Sequence, residues 1–233
     1  MDHVRSNLAA VRERIAAAAR ASGRQPDEIR LIAVSKTFGP DAVRDAYAAG
    51  QRDFGENKVQ EALQKQERTG DLAINWHLIG HLQSNKSKRA SSAFSAIHSI
   101  DSVELLERVD RAAAEAGAHP ELFVQVDLAG ENTKFGAPEE DADAIVEAGA
   151  QCRAARVVGL MVLPPWSDDP EAARPYFRRL RELRDRLVKK GIDPARLARL
   201  SMGMSHDFEV AIQEGATDVR VGTAIFGKRA RPA

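Results

Sequence analysis

One lysine, Lys36, directly follows the apolar run Leu31-Ile32-Ala33-Val34-Ser35. An ammonium at the end of a buried strand loses hydration, which lowers its pKa and exposes a nucleophilic amine. Such an amine condenses with an aldehyde; the same position also suits a solvated lysine that closes a strand. Gly55-Glu56-Asn57 ends another short run. The glycine admits close backbone approach, and Asn57 can either hold an oxygen of a ring-shaped cofactor or cap the next helix. Two later clusters, Ser201-Met202-Gly203-Met204-Ser205 and Arg220-Val221-Gly222-Thr223, pair hydroxyls with glycines at strand ends. Hydroxyls and backbone N–H groups ahead of a helix suit a phosphate, although Gly-Ser turns also occur without one. Arg220 lies two residues before Gly222, so it projects to the same side of its strand. It faces either a ligand or an interior carboxylate.

Other polar clusters carry weaker signals. His77 and His81 have a spacing that would serve a metal on a helix. Here they straddle a strand and Gly80, with no glutamate in the expected place and no cysteine pair. A cleft or core histidine fits better than a ligand. Ser84-Asn85-Lys86-Ser87-Lys88-Arg89 is basic, but no aromatic platform is interleaved for RNA. A solvated helix start is the expected role.

The elements that must position these residues alternate in kind. Short β-branched runs (31–35, 53–55, 74–79, 96–100, 122–127, 157–162, 199–202 and 218–222) are separated by longer charged stretches with helical periodicity. Pro40 and Pro138 are expected to open helices, and Ser102 to cap one. Past Pro170, Phe177, Leu180, Leu183 and Leu187 form one stripe of a long arginine-rich helix. Eight strands, each followed by a helix, is the count of a closed (β/α)8 TIM barrel; an open doubly wound sheet is the alternative. In a barrel, function sits just past the C-terminal strand ends, and phosphate often binds after strands seven and eight. The residues singled out above lie there.

Bulk properties bound the class. The 233 residues suit one barrel domain, 1–233, with an added N-terminal helix. Thirty-four basic and 34 acidic side chains cancel, so no global field favours nucleic acid or an anionic membrane. The single cysteine, Cys152, permits no internal disulfide. The N-terminus lacks the apolar core of a signal peptide, and no apolar run approaches the ~20 residues of a membrane span. A soluble cytoplasmic protein is expected.

Five motifs, in order, resemble the pyridoxal 5'-phosphate (PLP) homeostasis protein family. They are Ala33-Val34-Ser35-Lys36-Thr37, Phe54-Gly55-Glu56-Asn57, the stretch Trp76 to Lys86, Leu200 to Asp207, and Arg220 to Gly227. The resemblance implies a monomeric barrel like the N-terminal domain of bacterial alanine racemase, a fold-type III PLP protein. It implies that Lys36 is the Schiff-base lysine and that Ser201, Gly222 and Thr223 contact phosphate. It further implies that Arg220 faces the pyridine nitrogen and that Asn57 lines the pocket. Lys134-Phe135-Gly136 departs from the family by carrying a phenylalanine where a more polar residue is expected.

The same resemblance implies vitamin B6 homeostasis without an established reaction, with apo PLP-enzymes as recipients. An arginine at the ring nitrogen disfavours ring protonation and leaves a poor electron sink. Racemisation needs two acid/base groups on opposite faces of the α-carbon, and alanine racemases take the second, a tyrosine, from an additional β-domain. Tyr47 and Tyr176 fall on expected helices away from the strand ends. A cofactor holder without efficient catalysis is therefore expected. The alternative is a small PLP-dependent racemase or α-proton-exchange enzyme with Lys36 as base and His77 as candidate acid. An RNA-binding barrel using Lys86, Lys88 and Arg89 is a third, remote class.

Overall fold

The β-branched runs become strands and the periodic stretches become helices. The computed structural model describes residues 2–130 and 135–227. Its strands are β1 (Arg30–Val34), β2 (Asp53–Glu56), β3 (Asn75–Leu78), β4 (Ala96–Ile100), β5 (Glu121–Asp127), β6 (Ala137–Pro138), β7 (Arg156–Met161), β8 (Arg199–Met204) and β9 (Asp218–Val221). Neighbours run β4-β3-β2-β1-β9-β8-β7-β5, and β4 also pairs with β5, so eight strands close into a ring. The pairings are parallel throughout. This is a (β/α)8 barrel, and ring closure rules out the open sheet. The two-residue β6 lies outside the ring, beside Val126 and Asp127.

The helices are α1 (Asp2–Ala21), α2 (Pro40–Ala48), α3 (Val59–Arg68), α4 (Ser87–Ala93), α5 (Val103–Ala116), α6 (Ala142–Ala148), α7 (Arg174–Lys189), α8 (Phe208–Gln213) and α9 (Thr223–Phe226). Pro40 opens α2, and the Ser102 hydroxyl caps α5 by accepting from Leu105 N at 3.2 Å. Pro138 does not open a helix. Its backbone is extended and pairs with Asp127, so a 3₁₀ turn at 139–141 precedes α6. Helix α7 buries Phe177, Leu180, Leu183 and Leu187 as its stripe requires. Among the described residues, no helix is long and apolar enough to cross a membrane.

Two layers of side chains fill the molecule. The larger apolar cluster lies between strands and helices, and it includes Leu8, Val11 and Ile15 of α1. Helix α1 packs on α8 and α9, where Asn7 Nδ2 donates to Ile225 O at 2.9 Å and Arg14 pairs with Glu209 at 2.7 Å. A smaller cluster of Ala96, Phe123, Val158 and Met161 lies on the inward face, where the His98 ring stacks on Phe123. Interior Gly159 marks where β7 crowds β8: a Cβ there would stand 1.9 Å from Arg199 O. Backbone cannot yield cheaply in a closed ring, so Gly159→Ala is expected to cost at least about 2 kcal/mol. Urea unfolding measures it; a loss below about 0.5 kcal/mol, the range of a neutral surface change, would contradict this packing.

Candidate functional site

Register brings the expected residues to one mouth. Val34 of β1 lies opposite Gly55 of β2, and Ala33 lies opposite Val221 of β9. Lys36 and Asn57 come two residues after Val34 and Gly55, and Gly222 directly follows Val221. Lys36 is half-buried. Gly222 sits so close to β1 that a Cβ would meet Val34 O at 3.2 Å. Phe38 packs against Phe226 with ring centroids 5.3 Å apart, which ties the loop after Lys36 to α9. Asn57 is pinned from below, since a Cβ at Gly80 would lie 2.3 Å from Asn57 O.

A buried ionic cluster grips both neighbours of Lys36. The Ser35 hydroxyl donates to Glu56 Oε1 at 2.6 Å. Lys65 Nζ donates to Ser35 O at 2.8 Å, to Glu56 Oε1 at 2.7 Å and to Glu61 Oε1 at 2.9 Å. Glu61 Oε1 also accepts from Thr37 N at 2.6 Å. Thr37 has φ +71°, a left-handed conformation uncommon for a β-branched residue. Burial raises the Glu56 pKa despite the hydrogen bonds from Lys65 and Ser35. For Glu61 burial also raises, but the bonds from Lys65 and Thr37 outweigh it and the pKa falls. Sequence reading overlooked Lys65. The available signal was a lysine four residues after Glu61 on a helix following Gly55-Glu56-Asn57, a spacing that puts both side chains on one face.

Beside this cluster is a small cradle of donors. Gly222 N and Ala224 N both point at Ser205 Oγ, at 3.0 and 3.4 Å. Thr223, between them, is exposed. The loop that presents Ser205 depends on Gly203 at φ +93° and on Asp207, whose carboxylate accepts from Met204 N at 2.6 Å. The resemblance implies a phosphate contact for Ser201, and the structure places this residue apart from those amides. Ser201 is wholly buried inside the barrel, where its Oγ accepts from Arg220 at 2.6 Å and meets His98 Nδ1 at 2.8 Å. Alternation along β8 turns it inward, and the serine four residues later reaches the amides.

Arg220 points inward, as expected, and is 3% exposed. Its NH1 bonds Ser201 and its NH2 donates to Val162 O at 2.9 Å. Burial lowers its pKa to about 10, against support from Asp207 and Asp218, so it stays charged at neutral pH. His77 is a core residue, 1% exposed, between Asp53 and His98. His81 lies 3.6 Å from Asp101 and stacks on Phe135 at 3.8 Å. The departure at Phe135 is thus a rim contact; Lys134 lies outside the described residues. Among the described residues, no group of acidic, histidine or cysteine side chains could hold a metal. Lys86 ends a 3₁₀ turn, and Lys88 and Arg89 are exposed on α4. Tyr47 and Tyr176 lie on α2 and α7, outside the ring.

The arrangement offers a half-buried amine, a hydroxyl with converging amides for an anion, and an interior arginine. The family described as Alanine racemase, N-terminal domain, matches residues 6–230. A relative from Aquifex aeolicus named Pyridoxal phosphate homeostasis protein is 43% identical over 222 residues, spanning 95% of this chain and 96% of its own. One of the same name from Pseudomonas aeruginosa is 46% identical over 230 residues, spanning 98% and 97%. The solved structure of PipY from Synechococcus elongatus, with PLP bound, superposes with TM-score 0.85 at 41% identity, covering 96% of this chain and 100% of that one.

Removing Lys65 tests the ionic cluster. Lys65→Met leaves Glu56 buried without its counter-charge, and a broken buried pair costs roughly 3 to 5 kcal/mol. The folded-state pKa of Glu56 then rises further above its unfolded value. The penalty should be largest at neutral pH and shrink as pH falls through that raised pKa. Urea midpoints at neutral and acidic pH measure it, and a penalty independent of pH would refute the charge account.

Proposed function

The chain belongs to the pyridoxal phosphate homeostasis protein family, within the alanine racemase N-terminal domain group, and from that premise we propose that it binds PLP as a Schiff base on Lys36 and serves intracellular PLP balance. The observation that carries this reading is the convergence of Gly222 N and Ala224 N on Ser205 Oγ, beside the strand that ends in Lys36. The donor set suits the group. A dianionic phosphate takes charge-assisted bonds from amides and a hydroxyl, and Gly222 lets the backbone approach where a Cβ would press on Val34. PLP supplies an electrophilic aldehyde and an electron-withdrawing ring when bound.

The protein's residues have distinct parts. Lys36 contributes its amine, forming a C=N bond with loss of water. Ser205, Gly222 and Thr223 hold the phosphate, with Ala224 N beside them. Asn57 lines the pocket, and Arg220 faces the ring nitrogen. A guanidinium that keeps its proton there leaves the nitrogen unprotonated, which favours holding over carbanion chemistry. The two tyrosines sit on outer helices, and His77 has both ring nitrogens engaged in the core. Those placements count against the second reading, a small racemase. We read the chain as one monomeric cytoplasmic domain that passes PLP to apo PLP-enzymes and takes neither nucleic acid nor membrane as partner.

Borohydride reduction of PLP-saturated protein followed by peptide mass analysis tests the linkage. The adduct is expected on Lys36, and Lys36→Ala should lose the visible absorption band while keeping its fold. An adduct elsewhere, or none, would overturn the assignment. Holding is separable from catalysis. Loaded protein should restore activity to an apo PLP-enzyme, and amino acids incubated with it in heavy water should show no α-proton exchange. Exchange at catalytic rates would favour the racemase reading instead.

A further inference from the structure

Beneath the rim, polar contacts run in line through the barrel. Asp53 Oδ1 lies 3.1 Å from His77 Nε2, and His77 Nδ1 lies 3.0 Å from His98 Nε2. His98 Nδ1 lies 2.8 Å from Ser201 Oγ, which accepts from Arg220 NH1 at 2.6 Å. His77, His98, Ser201 and Arg220 are each at most 3% exposed. The line starts on β2 and crosses β3, β4 and β8 to reach β9. Only Asp53 is partly exposed, at the opposite end of the barrel from Lys36.

The chemistry of the two ends fixes the middle. A guanidinium only donates, and an ionised carboxylate only accepts. Burial opposes the Asp53 charge, but His77 and Arg30 hold its pKa below the ordinary value. A neutral imidazole has one donor and one acceptor nitrogen. Because Arg220 fills one lone pair of Ser201 Oγ, the hydroxyl proton can go to His98 Nδ1. His98 then carries its own proton on Nε2 and donates to His77 Nδ1. His77 carries its proton on Nε2 and donates to Asp53. The reverse order would set a bare His77 nitrogen against a carboxylate oxygen. Double protonation of His98 is opposed by burial, His77 and the neighbouring Arg220, Arg199 and Arg30. Stacking on Phe123, with centroids 4.1 Å apart and planes 14° apart, fixes the His98 ring.

We propose that Asp53, His77, His98 and Ser201 form one directed hydrogen-bond relay, both imidazoles in the Nε2–H tautomer, that sets the Arg220 guanidinium for the cofactor's ring nitrogen. His77 and His98 are positioning residues: they touch Arg220 only through Ser201. With NH1 committed to Ser201 and NH2 to Val162 O, the plane of the guanidinium is set before any ligand arrives. The Arg220 half rests on the PLP reading above; the tautomer half does not.

Two measurements test it. In ¹⁵N-labelled protein without added PLP, long-range ¹H–¹⁵N correlation at neutral pH should show an unprotonated Nδ1 and a protonated Nε2 on both His77 and His98. An Nδ1–H tautomer or a doubly protonated ring at either site overturns the relay. Second, His98→Phe keeps the stack on Phe123 but removes both nitrogens, and Ser201→Ala breaks the next link. Each should raise the apparent Kd for PLP about fivefold to tenfold and move the visible band. The double variant should lose no more than the worse single one, because both break the same chain. Additive losses, or folded variants with unchanged affinity and band, overturn the positioning role. If His98→Phe does not fold, Ser201→Ala and the native spectrum still decide. Borohydride labelling of the unaltered protein separates the failures: no adduct on Lys36 removes the cofactor reading and leaves the tautomer result standing.

Discussion

A guanidinium that water does not reach must be held by protein atoms alone, and the barrel interior is arranged around that requirement. Arg220 is nearly inaccessible yet stays charged at neutral pH. An uncompensated buried charge is among the most costly groups a fold can carry. Here the cost is met by a hydroxyl, a carbonyl and the fields of Asp207 and Asp218. An ordinary barrel fills its interior with layers of apolar side chains. This one gives part of that space to two histidines and a serine, beside a small apolar cluster on the same inward face. The interior polarity makes structural sense once the arginine is taken as the group to be held.

The rim repeats the logic on a smaller scale. Lys36 is flanked by two residues whose backbone or hydroxyl is tied to a buried lysine and two glutamates. Those ties come from β2 and α3, elements that follow β1 in the chain and lie beside it in the ring. The amine therefore sits on a stretch of backbone that cannot relax. Thr37 is held in a left-handed conformation that a free chain would leave. Strain of this sort persists only where neighbours over-determine it, and the ionic cluster is that over-determination.

Much of this was legible from residues alone. Lys36, Asn57, Arg220 and Gly222 were marked by position at the ends of apolar runs, because a parallel barrel puts those ends on one face. What escaped was decided by direction rather than position. Ser201 and Ser205 belong to one motif, and only the alternation of β8 with its bend at Gly203 separates an interior hydroxyl from one at the mouth. Lys65 went unmarked; its burial depends on α3 facing Glu56 across the end of β2. Pro138 looked like a helix start, since proline suits a first turn, but pairing with Asp127 kept it extended. His77 and His98 were invisible as a pair, since their contact spans two strands and 21 positions.

Helix α1 has a consequence for how the molecule is made. It braces α8 and α9, and β1 completes its pairing only with β9. Two segments far apart in sequence thus close on each other. Until β9 pairs with β1, the amides of Gly222 and Ala224 are not beside Lys36. Nearness of that amine to those amides is thus a product of ring closure, and no local segment holds it alone.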